Sequence, residues 1–205
     1  MISPISITSL RLPGTLASIT VLTICAAAYS THSYAQNPTA EGVLPLTQVD
    51  SDTANIELDG ALDEAVWNTL PAYDGMRVIN PDTLAPASMR TETRIFYNDR
   101  GIYVGAMNYQ DPDTLVARMS SRDEGVQRDG YVISIDTSGQ GLYGYFLRIN
   151  LGGTFSDGTI LPEKQISRDW DGPWNAVTQE LENGWSTEIF IPWGMMQLPQ
   201  TGEVR

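Results

Sequence analysis

The residues of this chain with the most chemical potential gather in its second half. Asp157, Glu163, Asp169 and Asp171 lie in or beside the stretch from Gly152 to Asp171. Carboxylates in such a setting suit a hard cation such as calcium, which takes about six to eight oxygen ligands in flexible geometry. No segment has the full spacing of a calcium-binding loop, and Asp169-Trp170-Asp171-Gly172 matches only part of one. Solvated loop carboxylates are the other reading of the same residues. Arg148 and Asn150 form a second group. A guanidinium presents a rigid fork of donors that can bridge two oxygens of a ligand. The structural alternative is an ion pair between Arg148 and Glu188 or Asp129. Trp170 and Trp174 flank Asp171-Gly172-Pro173 and could offer flat apolar faces to a ligand. Alternatively both pack, Trp174 in the core and Trp170 beneath the loop.

Nucleophilic catalysis lacks its parts. His32 is the only histidine and Cys25 the only cysteine. Both fall within residues 1–35, which read as a secretory signal: Arg11 is the only charge, Leu16 to Ala28 is apolar, and Ser33 and Ala35 are small where a signal peptidase reads. A lipoprotein signal would need a small residue before Cys25, where Ile24 stands. The apolar run is also short of the roughly 20 residues that cross a bilayer. Cleavage before Gln36 removes both side chains, and with them histidine triads, histidine-bearing zinc sites and any disulfide. A glycosidase needs only two carboxylates flanking the scissile bond, but no pair here is singled out. The segment is expected to be non-catalytic, even where a longer parent protein would be labelled a glycoside hydrolase by association. The net charge of −13 grows more negative once Arg11 leaves, and such a surface repels nucleic acid and anionic lipid. The protein is expected to be exported, to the periplasm, the outer membrane or the exterior.

The element that must position Arg148 and Asn150 is the stretch from Gly130 to Asn150. Tyr131, Ile133 and Ile135 alternate in its first half, and Tyr143, Tyr145, Leu147 and Ile149 in its second. That period of two predicts paired strands with one face on a core and Arg148 and Asn150 on the other. Thr137 to Gly141 supplies the turn. Around this hairpin the sequence predicts a flexible lead-in over 36–54, a short strand at Asn55 to Leu58, a helical turn ending in a structural Trp67, and a strand from Gly75 to Ile79. A loop follows from Asn80 to Ser88. A second hairpin runs from Thr91 to Tyr109 about Asn98-Asp99-Arg100-Gly101, and Leu115 to Gln127 is left unassigned. Gly152 to Asp171 reads as a long irregular stretch. A third hairpin turns at Asn183-Gly184, with a helical turn after Pro192. Many short strands with regular turns indicate an all-β fold, an antiparallel β-sandwich with short helical turns spanning 55–205. Thr201 to Arg205 begins what reads as a further strand, so the chain is expected to be truncated at its C-terminal strands.

Four stretches in order carry a resemblance. They are LDGALDEAVW (Leu58 to Trp67), RIFYNDRGIYV (Arg94 to Val104) with Asp111, RDGYVISID (Arg128 to Asp136) leading to FLRIN (Phe146 to Asn150), and GWSTEIFIP (Gly184 to Pro192). Together they resemble the family 9 carbohydrate-binding modules, and more closely the module-like domain at the front of large secreted bacterial proteins that continue into a β-rich, barrel-forming region. The resemblance implies a β-sandwich that holds an oligo- or polysaccharide without catalysis, linked to carbohydrate catabolism, and in some members a structural calcium. It matches Arg148 to the arginine of the sugar-contacting strand and Asp129 to the acid opening the preceding strand. Asn150 follows Arg148, while Trp170 and Trp174 could replace the missing aromatic platform. Val126 and Val132 stand where binding members carry an aromatic residue and a glutamate. Those departures keep a second reading open, a periplasmic interaction or gating domain of an outer-membrane barrel that binds no sugar.

Overall fold

The computed structural model describes residue 44, residues 46–125 and residues 127–198, the side chain of Lys164 aside. Residues 1–35, where a signal is expected, Val126 and the further strand expected over Thr201 to Arg205 lie outside the described residues.

The described residues form a mostly-β fold of three sheets with short helical turns. Strands β4 (Thr91–Tyr97) and β5 (Gly101–Tyr109) form the hairpin that their alternation predicts. Its turn is closed by Asn98, whose side-chain oxygen accepts from the backbone N–H groups of Arg100 and Gly101 at 2.9 and 3.2 Å. Strands β10 (Asn175–Leu181) and β11 (Gly184–Pro192) pair about Asn183-Gly184. Gly184 has a φ of +142°, and a Cβ there would stand 2.0 Å from the Asn108 carbonyl oxygen, so the turn admits glycine alone. With β1 (Thr47–Gln48), which runs parallel to β4, these strands make a five-stranded sheet in the order β1-β4-β5-β11-β10.

The second sheet is four-stranded, in the order β6-β7-β8-β9: β6 (Gly130–Ile135), β7 (Gly144–Asn150), β8 (Phe155–Leu161) and β9 (Gln165–Ser167). Val104, Ile189 and Ile191 of the first sheet and Leu147 and Ile149 of the second are buried in one apolar cluster. A hydrogen bond also crosses between the sheets, Tyr131 to Thr93 at 2.8 Å between their hydroxyls. This arrangement is consistent with a β-sandwich-like module. The opposite side of the five-stranded sheet buries a second cluster, in which Trp67 and Phe96 meet edge-on at 5.3 Å under the segment carrying α1 (Ser51–Ala54) and α2 (Ala65–Thr69).

Several stretches differ from the sequence expectation. Residues 55–58 are not a strand, and 47–54, within the expected lead-in, hold β1 and α1. The loop after Asn80 contains β3 (Asp82–Pro86), which pairs with β2 (Arg77–Ile79) as a separate two-stranded sheet. The largest difference is Gly152 to Asp171, which contains both β8 and β9. Its period is hidden because the inward residue opposite Leu147 is Asp157 rather than an apolar one.

Candidate functional site

Alternation along β7 decides which side chains face the core. Tyr145, Leu147 and Ile149 point toward it, so Phe146, Arg148 and Asn150 belong to the outer face. Register then brings Val132 and Ser156 opposite Arg148, and Ser134 and Gly158 opposite Phe146. Ile160 and Ile166 pair farther along the same face. The result is an outer sheet face with an exposed apolar strip, Val132 being 46% exposed, and an arginine beside it.

Arg148 is half-buried and stands over Gly130, where its Nε lies 3.2 Å from the position a Cβ would take. That Nε is buried and has no hydrogen-bond partner among the described residues. Burial first, then the charges of Arg128 and Arg168, push the guanidinium below its ordinary pKa. Neither of the two expected ion-pair partners is in place. Glu188 lies on the far face of the five-stranded sheet, accepting from the Trp67 indole N–H at 3.0 Å and from the backbone N–H groups of Asp59 and Gly60 at 3.1 and 3.0 Å. Asp129 turns to the preceding loop, where one oxygen accepts from Val116 N–H at 2.8 Å and from the Gln110 amide at 3.2 Å. Asn150 is 1% exposed and closes the β7–β8 turn, accepting from Thr154 N–H at 3.0 Å.

The tryptophans sit on the other side of this sheet. Trp174 is 4% exposed within the core and donates its indole N–H to Asp157 at 3.0 Å. Trp170 packs on the inward ring of Tyr145, with centroids 4.9 Å apart. The structure therefore brings Arg148 together with Phe146, whereas Trp170 and Trp174 group with Asp157.

Asp157 is the centre of a separate polar node. It is fully buried and accepts from Arg122 Nη2 on both oxygens, at 2.6 and 2.7 Å, and from Arg122 Nε at 3.1 Å, while Gly172 N–H donates to it at 2.8 Å. Arg122 also reaches Asp171 at 2.9 Å. Asp123, Asp157 and Asp171 place ligand atoms within 4.8 Å of one another, a group that could hold a metal ion. The positive charge present there is the Arg122 guanidinium, and both Asp157 oxygens are already engaged. Asp169 instead accepts from the Ser167 hydroxyl at 3.0 Å, and Glu163 sits in an exposed turn with a φ of 64°. Asp123 and Arg122 fall in the stretch the sequence leaves unassigned. Only the tertiary fold brings them to Asp157, so no local spacing marks them.

A recess of about 540 Å³ lies at the turn end of the β6–β7 hairpin, lined by Tyr143, Tyr145, Gln140 and Gln197 among others, and Arg148 is not part of it.

No protein-family model matches this chain. No curated protein matches it either. Among solved structures, the chain is similar to a family 9 carbohydrate-binding module from Caldicellulosiruptor kristjanssonii in complex with cellotriose, at 15% identity over 78% of this chain and 72% of that one, with a TM-score of 0.51. It is also similar to a "putative carbohydrate-binding protein" from Bacteroides uniformis, at 14% identity over 73% and 72% of the two chains, with a TM-score of 0.54. At these identities the likeness is one of fold, a distant resemblance to family 9-like modules over most of the chain.

Proposed function

We propose that this protein is a non-catalytic, exported saccharide-binding module whose ligand lies on the outer face of the four-stranded sheet. The observation that carries the reading is the pairing of an apolar strip, Phe146 with Val132, with an Arg148 guanidinium whose buried Nε has no partner among the described residues, on one sheet face. A sugar presents a flat C–H surface together with adjacent hydroxyls. An aromatic ring answers the first and a forked cation the second. The fold likeness supports this, since one of those structures was solved with cellotriose bound. Asn150 and Asp129 act from behind the face by holding its turn and loop. Trp170 and Trp174 serve the core side of the sheet.

Isothermal titration of the protein with oligosaccharides tests the proposal. Arg148→Ala is expected to weaken binding by about 10- to 100-fold, the worth of a hydrogen bond to a charged group. Phe146→Ala is expected to weaken it as well, with little change in melting midpoint because the ring is only half-buried. Equal binding by both variants would remove the site from this face.

A further inference from the structure

Among the described residues, Arg148 and the arginines around it form no ion pair, and this stands out in a chain of net charge −13. Three elements bring them together. Arg128 stands two residues before β6, Arg148 lies on β7 and Arg168 follows β9. Arg128 and Arg168 are fixed by successive carbonyls of one loop: Arg128 donates to the Glu124 carbonyl at 3.0 Å and Arg168 to the Asp123 carbonyl at 3.2 Å. Arg128 is 8% exposed and also donates to the Arg118 carbonyl and the Ser120 hydroxyl.

Six carboxylates close to them in sequence are turned to other partners, and Glu163 stands in an exposed turn. Asp123 accepts from Asp157 N–H and Glu124 from Ser121 N–H. Asp129 holds Val116 and Gln110, Asp157 and Asp171 hold Arg122, and Asp169 holds Ser167. Among the described residues, none of the three arginines forms an ion pair, and the Nε atoms of Arg128 and Arg148 and the Asn150 amide nitrogen are buried donors without partners. Like charges brought together under partial desolvation repel unless an anion joins them. Arg128 lies beneath the surface and supplies field, whereas half-buried Arg148 and exposed Arg168 can present their forks to a ligand.

We propose that Arg128, Arg148 and Arg168 form an anion subsite beside the Phe146 strip, so that the saccharide taken by this face carries a carboxylate, as a uronic acid does. The inference rests on the reading of the face as saccharide-binding. The apolar strip favours a carboxylate carried on a sugar ring over a free inorganic anion, because an inorganic anion leaves Phe146 and Val132 unused.

The test is calorimetric titration of the full chain with trigalacturonate, cellotriose and inorganic phosphate at low and high salt. The expected result is a preference for trigalacturonate over cellotriose of about tenfold or more, which shrinks as salt rises. That preference should collapse in Arg148→Gln and in Arg168→Gln, recover in part in Arg148→Lys, and persist in the remote control Arg100→Gln. Arg168 is exposed, so its variant decides the matter even where the Arg148 variant loses its fold by thermal melting. Equal binding of the two saccharides, or a preference that survives Arg168→Gln, overturns the inference and leaves the saccharide reading standing. Arginine-dependent binding of phosphate with no binding of either saccharide overturns both.

Discussion

Glu188 gives the most quantitative prediction. Its side chain is fully buried in the second cluster, where it anchors the Asp59-Gly60 turn and the Trp67 indole to β11. Burial pushes its pKa from an ordinary 4.5 up to about 7, against hydrogen bonds that favour the charged form, and the neighbouring charge of Glu64 pushes the same way as burial. The folded state therefore holds the proton more tightly than the unfolded chain does. The stabilisation from this group is fully present below the unfolded value and is lost as pH rises through the folded one. At about 1.4 kcal/mol for each factor of ten, the gap between 4.5 and about 7 corresponds to about 3 kcal/mol. Urea unfolding from about pH 5 to about pH 8 should show stability falling by an amount of that order, with the slope m unchanged. Glu188→Gln keeps an acceptor for the Asp59 and Gly60 N–H groups and removes the titration, so its stability should be flat over the same range. Parallel pH profiles for the two proteins would refute the reasoning.

Other perturbations have equally definite outcomes. Trp67→Ala empties the centre of the second cluster and should cost about 3–5 kcal/mol in chemical denaturation, because Phe96 and Leu70 cannot close the gap. Asp157→Ala strands Arg122, the Gly172 N–H and the Trp174 indole together, and a loss of about 3–5 kcal/mol is expected by the same assay. The melting midpoint should not change between chelator and millimolar calcium, because Arg122 already supplies positive charge to the three aspartates; a ligand binding only the folded state would raise it. In Arg122→Gln the same comparison should show calcium raising the midpoint, since the carboxylates are then left to repel one another.

Period-two alternation marked the three main hairpins in the sequence, since an apolar residue at every second position pairs only as a strand against a core. The Asn-Gly turn and the Asn98 turn were legible for the same local reason, a backbone geometry that few residues accept. The outward placement of Arg148 also followed from alternation. β8 was not legible, because its inward residue opposite Leu147 is a charged one that only a distant arginine makes tolerable. The grouping of Asp123 with Asp157 and Asp171 could not be read locally, nor could the company Arg148 keeps, because each joins residues from separate loops through bonds that leave no spacing along the chain.

The sequence by itself determined the strands of the three main hairpins and the faces of those strands, because side-chain direction in a strand is a property of neighbouring residues. The tertiary structure alone decided the electrostatics. Whether Glu188 meets Arg148 or Trp67, and whether three arginines meet carboxylates or one another, depends on which strands become neighbours and which loops fold back over them. That is a matter of packing between elements far apart in the chain, and it left Arg148 near Arg128 and Arg168 rather than in an ion pair with Glu188 or Asp129.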